Sequence, residues 1–158
     1  MLNKIKKITQ LKKIVKDLKS KGKKIVFTNG CFDILHYGHV KYLEKARRYG
    51  DILLVAINTD KSVKAIKGRG RPIVPGSDRA KMVAALEPVN YITTFNELTP
   101  LKIIQVLKPD ALVKGGDWRR EDIIGKNFVE SYGGEVVRIP YIKGYSTSSI
   151  IKKIKGLD

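Results

Sequence analysis

The sequence predicts a single α/β domain built around a doubly wound parallel sheet. Short apolar runs at residues 25–28, 52–57 and 111–113 are typical of strands that helices cover on both faces. Segments with helical periodicity alternate with these runs along the chain, which is the pattern of a parallel sheet with crossover helices. The chain has 158 residues, enough to bury one hydrophobic core.

Composition and cysteine content narrow the class of protein. Apolar residues make up 42% and charged residues 30% of the chain, which excludes a disordered or fibrous protein. No apolar run approaches the ~20 residues that cross a membrane, and the N-terminal residues lack the apolar region of a signal peptide. We therefore expect a cytoplasmic protein. A single cysteine, Cys31, excludes an intrachain disulfide and argues against a zinc cluster.

Positive charge is concentrated at the N-terminus. The formal net charge is +17, and residues 1–24 hold ten lysines and one aspartate. Within residues 3–20, apolar side chains recur at helical spacing and lysines fill the other faces. We expect a basic helix over residues 1–22 that packs as part of the same unit as the domain at residues 23–158. The alternative is a basic helix that binds nucleic acid or a membrane surface.

The remaining elements follow in order along the chain. After the first strand we expect a helix over 40–49, a strand over 52–57, a long and basic loop over 58–78, a helix from Asp78 to residue 86, and a strand over 89–94. We then expect a helix up to about 107, a strand over 111–113, a turn over 114–117, a helix over 121–132, a strand over 135–139, and a helix over 148–155 capped by Ser146 or Thr147.

Several candidate residues lie just after the predicted strands: Gly30, His36, Asn58, Lys114 and Ser146. In doubly wound sheets, ligands bind beyond the carboxyl ends of the strands, where the strand order reverses. The stretch from residue 28 to 39 joins a strand, a glycine-containing turn and a helix, and this arrangement favours anion binding. Imidazoles, lysines and helix N-termini suit a reaction that brings two phosphorylated molecules together.

Two separated motifs resemble one family. Gly30-x-Phe32-Asp33-x-x-His36-x-Gly38-His39 resembles the signature of the cytidylyltransferase-like nucleotidyltransferases, which contains an HxGH element. Residues 144–151, GYSTSSII, resemble that family's serine- and threonine-rich helix start. The resemblance covers about residues 23–155 and implies a Rossmann-like nucleotidyltransferase fold.

Finer features resemble one subgroup. The sequences TNGCFD at 28–33 and VKGGDW at 113–118 are similar to the adenylyltransferase domain of the bacterial enzymes that make ADP-heptose, a lipopolysaccharide precursor. Tyr141 stands where glycerol-3-phosphate cytidylyltransferases have an arginine, which favours ATP over CTP. The resemblance implies transfer of AMP from ATP to a sugar 1-phosphate, D-glycero-β-D-manno-heptose 1-phosphate, with Mg²⁺ and release of pyrophosphate. The alternatives are CTP with glycerol 3-phosphate, ATP with FMN, or a basic module that binds nucleic acid.

The resemblance also implies a role for each matching residue. The catalytic set is His36, His39 and Lys67. The nucleotide-binding set is Asn29, Gly30, Cys31, Phe32, Asp33, Gly38, Arg69, Arg79, Lys114, Gly115, Gly116, Asp117, Tyr145, Ser146, Thr147 and Ser149. The sugar-phosphate set is Asn58, Asp60 and Lys64. No protein metal site is implied, because the triphosphate would hold Mg²⁺, and a homodimer is expected to which the apolar stripe at 5–18 contributes.

Several of these residues have a structural alternative. Lys64 competes with Lys67 for the reacting phosphates, because the alignment crosses a loop of variable length. Cys31 is more typical of an inert buried thiol than of a nucleophile. Trp118 is more typical of packing than of base stacking. Ser146 and Thr147 are suited to capping a helix as well as to binding phosphate, since both functions use the same backbone N–H groups.

Overall fold

Five parallel strands form the centre of the computed structural model, which describes residues 2–116 and 119–157. The strands are β1 (Ile25–Gly30), β2 (Ile52–Asn58), β3 (Tyr91–Phe95), β4 (Ala111–Gly115) and β5 (Glu135–Ile139). Their order across the sheet is β3-β2-β1-β4-β5, so the order reverses between β1 and β4. The predicted doubly wound parallel sheet is confirmed.

Helices cover both faces of this sheet. They are α1 (Ile8–Ser20), α2 (Tyr37–Arg47), α3 (Asp60–Lys67), α4 (Gly76–Ala85), α5 (Leu101–Leu107), α6 (Lys126–Ser131) and α7 (Thr147–Lys155). Alternate residues of each strand point to opposite faces. In β2, Leu53 and Val55 join the buried cluster with α2 and α4, whereas Leu54 and Ala56 join the cluster with α1, α5 and α6. The sequence therefore reads as uninterrupted apolar runs because both faces of each strand are buried.

The N-terminal helix is shorter than predicted. It begins at Ile8, because Ile5 is extended and forms a parallel β-bridge to Ile92 at the edge of the sheet. Leu11 and Val15 are buried in the core, which favours the predicted packing of this helix as part of the same unit. These two side chains are not available to a partner, so the expectation that the stripe at 5–18 contributes to a homodimer stays a prediction for its partly buried members alone.

The predicted long loop over 58–78 is also wrong. Residues 60–67 form α3, and α4 begins at Gly76. The Thr59 hydroxyl caps α3 by accepting a hydrogen bond from the Ser62 backbone N–H at 3.4 Å, and Val63 is fully buried beneath the helix. The cap and the buried valine thus stabilise a helix in a stretch whose lysine content had suggested a loop. A loop remains only at 68–75.

Other boundaries differ by a few residues. Helix α2 begins at Tyr37 rather than at residue 40, which brings Gly38 and His39 into its first turn. The predicted turn at 114–117 begins later, since Lys114 and Gly115 belong to β4. The predicted helix over 121–132 is a 3₁₀ turn at Arg120–Asp122 followed by the shorter α6. The strand at 135–139 is confirmed.

Within the described ranges, 2–116 and 119–157, no helix is long and apolar enough to cross a membrane.

Candidate active site

Two stacked histidines begin α2, at the carboxyl edge of the sheet. His36 is the N-cap residue of α2, and its ring centroid lies 3.8 Å from that of His39, with 19° between the ring planes. The Nδ1 atoms of both rings are buried and lack a hydrogen-bond partner among the described residues. Such unsatisfied polar atoms are rare in folded proteins and are frequently found at functional sites.

The environment of the pair disfavours the imidazolium form. Burial, together with the neighbouring His36 ring, lowers the pKa of His39 to about 4, and burial also lowers the pKa of His36. Phe32 contributes to this apolar surrounding, with its ring centroid 5.2 Å from that of His39. Both imidazoles are therefore neutral at pH 7, and an anion that arrives beside them would favour their protonated forms.

Gly38 allows the two motifs to approach each other. A Cβ atom at this position would lie 3.0 Å from His36 Nδ1 and 3.0 Å from the Tyr145 Cβ. A larger residue at the glycine of the HxGH element would therefore require His36 or the start of α7 to shift by a few tenths of an ångström.

The N-terminus of α7 lies beside the histidines. Ser146 caps this helix, as predicted, by accepting a hydrogen bond from the Ser149 backbone N–H at 3.0 Å. The Thr147 hydroxyl donates to the backbone oxygen of Ile34 at 3.3 Å, which joins α7 to the loop before α2. Tyr145 stacks over His36 with ring centroids 6.5 Å apart. Two helix N-termini thus meet at one point, and each favours negative charge.

Asp33 holds together two loops of the site. Its carboxylate is 1% exposed and accepts hydrogen bonds from Arg71 Nε at 2.6 Å and from the backbone N–H groups of Ile73 and Val74. Burial alone would raise the pKa of Asp33, but the hydrogen bonds from Val74, Ile73 and Arg71 hold it below its usual value. The nucleotide-binding role that the resemblance implies for Asp33 stays a prediction, and these contacts favour an indirect part in it, in which Asp33 orients the first loop.

Arg79 is fully buried at the start of α4. Its guanidinium donates to the backbone oxygens of Val74 and Asn58 at 3.0 and 2.9 Å, to that of Cys31, and to Asp60 Oδ1 at 2.6 Å. The protein thus occupies four of its five donors. The expectation that Arg79 binds the nucleotide is therefore corrected: it joins three loops behind the site.

Asn58 is also occupied by protein contacts, since its side-chain amide donates to Ser62 Oγ at 2.9 Å and its backbone oxygen accepts from Arg79. With the residue only 4% exposed, the expected contact between the Asn58 side chain and a sugar phosphate is not supported. Asp60 is about half exposed but is paired with Arg79.

A lysine side chain bridges β1 and β4, between which the strand order reverses. Lys114 at the end of β4 donates through Nζ to Asn29 Oδ1 at the end of β1. One residue further, the ring of Tyr141 lies against Gly115, where an added Cβ atom would approach the Tyr141 hydroxyl to 2.8 Å. Gly116 follows in the turn after β4, and Asp117 and Trp118 lie outside the described residues.

The basic residues Lys64, Lys67 and Arg69 are exposed at the end of α3 and in the loop after it. Lys67 is close enough to Cys31 to act electrostatically on its thiol, which connects the end of α3 with the first loop. Burial nevertheless raises the pKa of the Cys31 thiol, in spite of the positive charges of Lys67, Arg79 and Arg71. This favours an inert thiol.

Sequence reasoning missed two residues that organise the site. Arg71 was counted only as one charge in a basic loop, although it pairs with Asp33. Tyr42 lies below the site, where its hydroxyl contacts Thr28 Oγ1 at 2.7 Å and donates to the backbone oxygen of Val113 at 3.2 Å. Neither contact has a local sequence signal. Arg71 is 38 residues from Asp33, and Tyr42 is 71 residues from Val113.

Two open cavities lie elsewhere. One, of about 600 Å³, is at the amino ends of the strands beside Lys24, Asp110 and Glu135. The other, of about 550 Å³, runs along β5 beside Arg119 and Arg138. Neither cavity is lined by His36 or His39. The chemistry of the side chains, rather than cavity volume, therefore identifies the site.

Comparison with known families agrees with this geometry. The sequence model of a family described as cytidylyltransferase-like matches residues 27–153. The chain belongs to the cytidylyltransferase-like family. The nucleotidyltransferase family that the HxGH motif predicts is thereby confirmed.

Several curated relatives of the chain carry the same name. The bifunctional proteins HldE of Geobacter metallireducens and Citrifermentans bemidjiense are each 52% identical to it over 151 and 152 residues, and that of Nitratiruptor sp. is 48% identical. Each alignment covers 96% of this chain but only 31 to 32% of the relative. The chain therefore spans about a third of the length of these relatives.

Solved structures show the same fold. The lipopolysaccharide core biosynthesis protein from Thermoplasma volcanium is 26% identical with a TM-score of 0.65, and the match covers 79% of this chain and 100% of that protein. Pantoate-beta-alanine ligase from Francisella tularensis, 17% identical with a TM-score of 0.62 over 96% of this chain and 76% of the ligase, is similar in fold alone.

Proposed function

We propose that this protein transfers AMP from ATP to a sugar 1-phosphate and releases pyrophosphate. The stacked pair of His36 and His39, beside the N-terminus of α7, is the observation that carries the proposal. D-glycero-β-D-manno-heptose 1-phosphate is the proposed acceptor. Support for that sugar comes from the resemblance to the ADP-heptose adenylyltransferase domain and from the HldE relatives, which match 96% of this chain.

The triphosphate would bind where α2 and α7 begin. Both helices direct the positive ends of their dipoles toward this point, and the backbone from Asn29 to Phe32 lies at the end of the adjacent strand. Phe32 has a left-handed backbone, with φ of +47°, a conformation that is uncommon outside glycine and is concentrated at functional sites.

The histidines would neutralise charge as the α-phosphorus is attacked. They are neutral without ligand because burial lowers the pKa of each, and a polyanion beside them would shift the equilibrium toward imidazolium. Their hydrogen bonds and charge would then be strongest on the transition state and on the departing pyrophosphate. Preorganised donors of this kind are usually the largest electrostatic contribution to catalysis.

The acceptor phosphate would bind on the side of the site near the end of α3, which we call the acceptor half. The exposed Lys64, Lys67 and Arg69 supply positive charge there. The resemblance places Arg69 with the nucleotide, and we propose it for the acceptor side because it lies in the same exposed segment as the two lysines. A phosphate is anionic at pH 7 and needs no general base, so the protein has only to hold it in line with the α-phosphorus. Lys67, which acts electrostatically on Cys31 in the first loop, is the candidate that reaches both reacting phosphates.

Mg²⁺ is proposed to bind together with ATP. In the described part of the chain, no three His, Cys, Asp or Glu side chains are grouped as a metal site. The carboxylate of Asp33 already accepts a hydrogen bond from Arg71, and that of Asp60 is paired with Arg79. Oxygen ligands for Mg²⁺ would therefore come from the triphosphate, and the ion would neutralise phosphate charge.

A substrate panel tests the proposal. The protein is incubated with Mg²⁺, ATP or CTP, and each of several sugar 1-phosphates, glycerol 3-phosphate and FMN, while pyrophosphate release is followed. ATP with the heptose 1-phosphate should give the highest kcat/KM, and the His39→Ala variant should be nearly inactive. Release with CTP and glycerol 3-phosphate alone would contradict the proposal, as would no release by folded protein with any acceptor.

A homodimer and a cytoplasmic location complete the proposal. The homodimer rests on the family resemblance, and the location rests on the apolar pattern of the sequence. A dimer interface could not use Leu11 and Val15, because both are buried in the domain core.

A further inference from the structure

The segment 64–71 carries the basic residues of the acceptor half, from the end of α3 to Arg71, and it is anchored at both ends. At one end, residues 60–67 are helical. At the other end, Asp33 binds Arg71 through its side chain and binds Ile73 and Val74 through their backbone N–H groups, at 2.6 to 3.0 Å. We call this set of contacts the clasp.

Between the two anchors the chain has little support of its own. Gly68 and Gly70 have φ of +89° and +82°, and no other atom lies within 4 Å of the position of an added Cβ at either residue. Arg69 lies between them and is exposed. Because a glycine lies on each side of Arg69, the position of its side chain depends on the two anchors.

The clasp connects this segment directly to the first loop of the site. Asp33 follows Phe32, whose ring packs against His39, and its carboxylate is almost completely buried. Arg71 is largely buried as well, with 18% of its side chain exposed. A charge-assisted hydrogen bond in such a place is shorter and stronger than one between neutral groups.

We propose that Arg71 is a positioning residue: through Asp33 it holds the basic segment 64–71 over the acceptor half of the site. Arg71 donates to Asp33 through Nε at 2.6 Å, and in this proposal it acts through that contact rather than on a substrate. The inference rests on the proposed function, in which Lys64, Lys67 and Arg69 bind the acceptor phosphate.

The expected consequences are specific to one substrate. If the clasp opens, Lys67 and Arg69 spend less time beside the acceptor phosphate, so the KM for the sugar phosphate rises and kcat falls. The triphosphate is proposed to bind mainly at the start of α2 and α7, and Lys67 is the residue of the basic segment proposed to reach it, so the KM for ATP should change much less than the KM for the sugar phosphate. A general loss of structure would raise both KM values.

Limited trypsin digestion of the full chain gives a readout that needs no activity. Trypsin cuts after Lys64, Lys67 and Arg69 but not before proline, so the Arg71–Pro72 bond is resistant with or without Arg71. The Arg71→Met variant should be cut within the segment at least about tenfold faster than the wild type, since cleavage follows the population of the open form. Arg71→Lys should be intermediate, and Lys81→Met, which removes an exposed charge from α4, should match the wild type.

Kinetics complete the test on the same variants. Arg71→Met should raise the KM for the sugar phosphate at least about fivefold and lower kcat about tenfold, with the KM for ATP within about twofold. Arg71→Lys should recover part of the loss. Wild-type cleavage in Arg71→Met, or an equal rise in both KM values, would overturn the inference. If the wild type turned over no sugar phosphate, the proposed function would fail, and the digestion would still decide whether the clasp exists.

Discussion

Replacing Gly38 by alanine should lower the activity of the protein and leave the stability of its fold almost unchanged. The added Cβ would lie 3.0 Å from His36 Nδ1 and 3.0 Å from the Tyr145 Cβ. Either the His36 ring or the start of α7 must therefore move by a few tenths of an ångström. Both belong to the pocket proposed for the triphosphate.

The effect on stability should be small. Alanine is favoured over glycine in a helix by up to about 1 kcal/mol, and Gly38 lies in the first turn of α2. An off-rotamer side chain costs about 0.5 to 1.5 kcal/mol, which offsets that gain. The free energy of unfolding should thus stay within about 1 kcal/mol of the wild-type value, while displacement of His36 should lower kcat by about 10- to 100-fold.

Urea unfolding and pyrophosphate release with ATP and the heptose 1-phosphate measure these two quantities on the same protein. Gly156→Ala is the matched control, because the nearest atoms to its added Cβ are 3.6 Å away and its φ is −95°. That control should retain full activity. Turnover within twofold of wild type in Gly38→Ala would refute the claim that the two motifs must meet this closely.

Three further predictions concern the histidines and Arg79. His39→Ala should lower kcat by at least about 10²-fold with little change in stability, because it removes a group that acts on the transition state; near-wild-type turnover would make His39 a structural residue. Because burial and His36 lower the pKa of His39 to about 4 in the folded protein, against about 6.5 in the unfolded chain, the unfolded chain binds the proton first as the pH falls. This contribution to stability is fully present above pH 6.5 and is lost toward pH 4, by about 2 to 3 kcal/mol; urea unfolding at pH 7.5 and 5 should show the loss, and an equal loss in His39→Ala would contradict it. Arg79→Met should lower the free energy of unfolding by about 3 kcal/mol, since it leaves buried backbone oxygens unpaired and Asp60 without its partner; a change below about 1 kcal/mol in thermal or urea unfolding would show that these contacts matter little.

The sequence was sufficient for the parallel sheet because that prediction depends on local patterns. A strand buried on both faces is an apolar run wherever it occurs, and alternation with helices leaves few topologies. The same holds for Ser146, whose capping function was predicted from its position before an apolar helix and is confirmed. Local patterns failed at α3, where one capping hydroxyl at Thr59 and one buried valine at residue 63 outweighed a sequence rich in lysine.

The contacts behind the site could not be predicted in the same way. Arg79 is joined to the backbone of Cys31, 48 residues away, and of Asn58, 21 residues away. The family resemblance implied a residue that binds the nucleotide, and only the packing of three loops reveals that Arg79 is buried. The pairing of Arg71 with Asp33 depends on the same packing, which is why the charge pattern alone gave no sign of it.

The most direct test of the central claim is ³¹P NMR of the protein mixed with ATP, Mg²⁺ and D-glycero-β-D-manno-heptose 1-phosphate. We expect the signals of the sugar phosphate and ATP to decline together, while those of pyrophosphate and ADP-heptose appear in equal amounts. Wild-type protein should give these products and His39→Ala should not. Appearance of orthophosphate and ADP instead, or an unchanged spectrum with folded protein, would contradict adenylyl transfer at the paired histidines.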